Sequence, residues 1–95
     1  MHYIGMDCHI TTLDFAVVNE AGRLVKASSV ATSVNGFIEF VKTVPLPRTI
    51  YMEESAPSFH SVLECARVGF DFWTKITLVR AQFFLHSFGN LLTLT

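Results

Sequence analysis

Ninety-five residues with 51% hydrophobic and 16% charged content make a single domain with enough apolar side chain to build a core, which excludes a disordered chain. The net charge of −1 provides no basic excess, so any nucleic-acid contact must be local rather than spread over the surface. Two cysteines are too few for a disulfide scaffold and match no zinc spacing, and no apolar run reaches the ~20 residues that span a bilayer, so a cytoplasmic chain with reduced thiols and no membrane contact is expected.

The chain opens with a strand, His2–Met6, closed by an acid, Asp7. Leu13–Asn19 reads as a second strand, rich in β-branched and aromatic side chains, and residues 19–22 (Asn-Glu-Ala-Gly) form a turn. Arg23–Ala31 returns as a third, so the first third of the chain is an antiparallel meander. The period then changes. Ser33 or Asn35 caps a helix in which Phe37, Ile38, Phe40 and Val41 recur at helical spacing, and Pro45 and Pro47 prevent its continuation. Thr49–Met52 is a short strand followed by a turn, Glu53–Pro57. Pro57 suits the first turn of a second helix with Phe59, Val62, Leu63 and Ala66 on one face and Gly69 after its end. Phe72–Val79 is a fifth strand, and residues 81–88 begin a third helix that Gly89 and Asn90 break.

The order βββ-α-β-α-β-α predicts an α/β fold of the ribonuclease H-like arrangement, a mixed sheet with flanking helices. In that order the first and fourth strands are neighbours, which brings Asp7 and Glu53 within reach of one metal ion. Hard oxygen ligands drawn from separate elements are what a Mg²⁺- or Mn²⁺-dependent phosphoryl-transfer site requires. Asp7 and Glu53 are therefore the candidate catalytic and metal-binding residues. Each has a plainer role available: Asp7 satisfying turn amides at a strand end, Glu53 and Glu54 complementing a helix N-terminus. Glu54 is assigned to the plainer role. His9 is expected to be a partly exposed loop residue, His60 and Glu64 a solvated helical pair, and Asp14, Asp71 and His86 members of no constellation. The phenylalanine sets at 37/40 and 83/84/88 read as core or interface rather than base-stacking platforms.

Residues 3–22, opening Tyr-Ile-Gly-Met-Asp and running through Thr-Leu to Asn-Glu-Ala-Gly, resemble the first block of the DEDD insertion-sequence transposases, the insertion-sequence-110 group that includes the Piv-type invertases. Residues 52–59 (Met-Glu-Glu-Ser-Ala-Pro-Ser-Phe) resemble the second block, and aligning Pro57, Phe59 and Leu63 selects Glu53 over Glu54 as the family's glutamate. Residues 78–83 are similar to the segment that precedes the last two acids, so the likeness covers residues 3 to 90. It departs at Ile10 and Thr11, where lysine is common, and at residues 91–95, which read as a tail of frameshifted or interrupted origin in place of the Asp-containing block. The resemblance implies a ribonuclease H-like fold of RuvC type, incomplete at the C-terminus, and DNA transposition through Mg²⁺ or Mn²⁺, with DNA (element ends and target), a structured guide RNA, a second copy or a full-length transposase as partners, and a nucleoid-associated location. It also implies inactivity of this chain alone, because two of the four acids are missing.

Two rivals come from other classes. An actin-like or sugar-kinase ATPase half-domain opens with the same meander and an aspartate, but normally follows it with small residues, where this chain has Cys8-His9-Ile10. A non-catalytic interaction module fits the charge-poor, phenylalanine-rich composition.

Overall fold

The computed structural model describes residues 1–53, 74–80, 82 and 87–89. They form an α/β arrangement in the order β1 (His2–Cys8), β2 (Thr12–Val18), β3 (Leu24–Ala31), α1 (Val34–Lys42), β4 (Arg48–Glu53) and β5 (Thr74–Val79). The five strands make one mixed sheet ordered β3-β2-β1-β4-β5. β1–β2 and β2–β3 are antiparallel, whereas β1–β4 and β4–β5 are parallel. The predicted meander, first helix, fourth strand and fifth strand are all present. The second helix expected from Pro57 lies outside the described residues, as do most of the third and the tail at 91–95; residues 87–89 are helical.

Local chemistry explains the connections. Asn19 begins the β2–β3 turn by accepting hydrogen bonds on its side-chain oxygen from the Ala21 and Arg23 amides at 3.0 and 3.1 Å. Gly22 then takes φ +78°, a conformation that other residues reach only with strain. α1 starts at Ser33, whose Oγ accepts from the Gly36 amide at 2.9 Å and so satisfies one of the open donors of the first turn. It stops at Thr43, whose amide and hydroxyl both donate to the Phe40 carbonyl, and Pro45 follows two residues later.

Nine helical residues are too few to be stable alone in water, so packing must hold α1 in place. Phe37, Phe40 and Val41 supply it, lying against Phe15, with the Phe15 and Phe40 rings stacked at 4.1 Å between centroids. Ile4 and Met6 of β1, Leu13 and Val17 of β2, and Ile50 and Met52 of β4 complete this core. Every one of them is an alternate residue of its strand, the period that turns one sheet face toward the helix. Lys26, on the same face of β3, lays its ammonium 5.1 Å from the Phe40 ring centre and donates to Thr43 Oγ1.

The opposite face of β1 carries Tyr3, Gly5 and Asp7. Tyr3 stacks on Tyr51, which in turn meets Phe88. Phe88 lies directly over Gly5, so close that a β-carbon there would fall 2.3 Å from its ring. Glycine is thus required for contact rather than for backbone conformation. Gly5→Ala should lower the free energy of unfolding in urea by about 1–3 kcal/mol, the usual cost of overpacking. Phe88→Ala in the same chain should cancel most of that added loss, and a purely additive double-mutant cycle would contradict the contact.

Candidate metal centre

β1 continues through Asp7 to Cys8, so Asp7 is inside the strand rather than just beyond its end. The reason is its partner. The β1–β2 hairpin closes with a hydrogen bond from the His9 amide to the Thr12 carbonyl at 2.8 Å, and pairing runs back from there: Cys8 opposite Leu13, then Asp7 opposite Asp14. Two carboxylates therefore face each other across neighbouring strands, an arrangement that is destabilising unless something cationic or hydrogen-bonding intervenes.

His9 intervenes. Its Nε2 lies 3.2 Å from Asp7 Oδ2 and 3.1 Å from Asp14 Oδ2. The other oxygen of Asp14, Oδ1, accepts a hydrogen bond of 2.7 Å from Ser29 Oγ, the residue opposite it on β3. The His9 backbone is also fixed, because Thr32 Oγ1 donates to its carbonyl at 2.7 Å. The imidazole is half exposed, and the two carboxylates are less so. Asp7, His9 and Asp14 each offer one ligand atom, and these atoms lie within 4.8 Å of one another. The expectation that Asp14 joins no constellation is thus corrected, whereas His9 is the partly exposed loop residue expected, here lying between two carboxylates. The miss at Asp14 follows from starting the second strand at Leu13 rather than Thr12, which hides the register.

Glu53 reaches the same sheet edge by another route. The parallel register of β1 with β4 runs from His2 opposite Arg48 to Met6 opposite Met52. That pairing ends one residue short of Asp7 and Glu53, which by strand alternation share the face of Tyr3 and Tyr51. Glu53 ends β4 and pairs across its other side with Val79 of β5. It is outside the three-residue group formed by Asp7, His9 and Asp14. Asp71 and His86 lie outside the described residues.

Two neighbouring features matter to the chemistry. Cys8 points to the core side of β1; burial, and secondarily the Asp7 charge, push its thiol above the ordinary cysteine value. It is therefore a poor nucleophile. At the far end of the sheet a groove of about 290 Å³ lies between Tyr3, Tyr51, Phe88 and the Asn19–Gly22 turn. It collects no group of metal-ligating residues. No helix among the described residues is long and apolar enough to cross a membrane. Comparison with protein-family models and with curated proteins returns no match.

The raised thiol pKa yields a kinetic test. In a Cys65→Ser background, Cys8 should react with iodoacetamide more slowly than a free cysteine at pH 8, because its thiolate forms only at higher pH. Asp7→Asn should speed the reaction modestly, since its charge is the smaller of the two causes. A rate unchanged by Asp7→Asn would remove Asp7 from the account.

Proposed function

We propose that the chain is the N-terminal, metal-holding segment of a DNA transposase with a ribonuclease H-like fold, in which Asp7 and Glu53 supply oxygen ligands for strand cleavage and joining. The observation that carries this reading is the junction of antiparallel and parallel pairing at β1. A three-strand meander whose first strand also pairs in parallel with the strand after a crossover is the sheet pattern that the transposase resemblance implies. The same register favours adjacency of Asp7 and Glu53 at the carboxyl ends of β1 and β4, the edge where open α/β sheets bind their ligands.

The chemistry follows from two like charges held side by side. Carboxylates so placed would favour the capture of a cation. A divalent ion bound there would polarise a scissile phosphate and lower the pKa of an attacking hydroxyl. The carboxylates themselves would fix the ion at the sheet edge, on strands rather than loops, so that a nucleic-acid backbone laid across this edge meets a rigid charge. DNA is the partner that this reading implies. The net charge of −1 suggests that most phosphate contacts come from elsewhere.

Thermal unfolding tests the pair. At Mg²⁺ or Mn²⁺ about tenfold above Kd, binding adds about 1.4 kcal/mol, which for a domain of this size raises Tm by about 6–11 °C. Asp7→Ala and Glu53→Ala should each remove the rise. An ion-dependent shift that survives Glu53→Ala, or the lack of any shift in the unsubstituted chain, would sink the proposed pair.

A further inference from the structure

We propose that Asp7, His9 and Asp14 form a second cation position on the β1–β2 hairpin, one that selects Zn²⁺ over Mg²⁺ because one of its three donors is an imidazole nitrogen. The shared use of Asp7 by two ions rests on the preceding reading; the three-residue site does not.

The distances carry the inference. Donor atoms bound about 2.1 Å from a tetrahedral or octahedral ion lie about 3.0–3.4 Å from one another. His9 Nε2 stands 3.2 Å from one carboxylate oxygen and 3.1 Å from the other, so both contacts already match the edges of a coordination polyhedron. Nε2 carries one proton at most, so as a donor it can only share that proton between the two oxygens in a three-centre bond. A cation between the three atoms serves all of them and offsets the facing carboxylates. The surroundings fit as well. Ser29 Oγ holds the far oxygen of Asp14, the kind of outer contact that orients a ligating carboxylate. The hairpin hydrogen bond and the Thr32 hydroxyl fix the His9 backbone, so the nitrogen needs no loop rearrangement. Half-exposure of the imidazole leaves a route for the ion and open coordination positions for water or a phosphate oxygen.

The donor set also decides the ion. Two carboxylates alone suit Mg²⁺, whereas a nitrogen donor shifts preference toward zinc and its neighbours. With Asp7 common to both, the hairpin position would stand beside the Asp7–Glu53 pair as the second ion of a two-metal arrangement, built from residues of β1, β2 and their turn.

Isothermal titration of the full 95-residue chain with Zn²⁺ and with Mg²⁺ tests this. One equivalent of Zn²⁺ should bind at least tenfold more tightly than Mg²⁺. His9→Ala and Asp14→Asn should each weaken Zn²⁺ binding tenfold or more, whereas Glu53→Gln and Cys8→Ser should leave it unchanged. His9 is an exposed turn side chain, so its variant remains folded, and circular dichroism checks that Asp14→Asn does too. Zinc affinity insensitive to His9→Ala, or lost with Cys8→Ser, overturns the site. Zinc affinity lost with Glu53→Gln assigns the ion to the Asp7–Glu53 pair and overturns the hairpin position. Retained zinc binding together with no Mg²⁺-dependent Tm rise would refute the transposase pair while leaving the hairpin site standing.

Discussion

The molecule depends on one strand being committed on four sides. β1 is hydrogen-bonded to β2 along one edge and to β4 along the other, so neither edge can meet solvent. Its two faces are then covered differently. Ile4 and Met6 are sealed beneath α1, and Gly5 is sealed by Phe88. A slip of one residue in the pairing of β1 would exchange these faces, driving Asp7 into the apolar core and Met6 out to the acidic edge. Burying an unpaired carboxylate costs far more than any rearranged apolar contact could return. Core packing and candidate chemistry are therefore fixed by the same parity, and neither can change without the other.

The elements were legible wherever one signal dominated. Alternation gave the three meander strands, the 37/38/40/41 spacing gave α1, and two prolines marked its end. Neighbouring β1 and β4 followed from the order of elements alone. What stayed hidden was the exact stacking of side chains between strands, because it turns on where a hairpin bends. With the turn at Ile10 and Thr11, Asp7 must face Asp14 and Ser29 must lie beyond it. Starting the second strand one residue late removes that relation. A clue existed in Thr12, a good strand residue immediately before the apolar run. Phe88 over Gly5 was illegible for a different reason: a glycine inside a strand signals close approach of something, without saying what.

The two ends of the sheet differ in kind. At the end where β1 turns into β2 the polar groups are held by hydrogen bonds, Asp14 by Ser29 and the His9 carbonyl by Thr32. Farther back along the same face the residues are aromatic, with Tyr51 in contact with both Tyr3 and Phe88. Polar atoms that must stay addressable are gathered where backbone turns already expose them, while the Phe88 ring covers Gly5, which pairs with Ala16 across the hairpin.

The outer strand has a consequence for the molecule in a crowded solution. β3 is the edge of the sheet, and nearly all of its side chains are exposed. An edge that is flat and regular invites another chain to add to it. Here the pairing with β2 skips a residue, moving from Lys26 opposite Val17 to Leu24 opposite Val18, so Val25 stands outside the ladder. The irregularity twists the strand and leaves only the Lys26–Ala31 stretch with the even spacing that templated growth requires. Among the described residues, the even part of this edge is thus a short segment beginning with a lysine, a charge that discourages the addition of another strand.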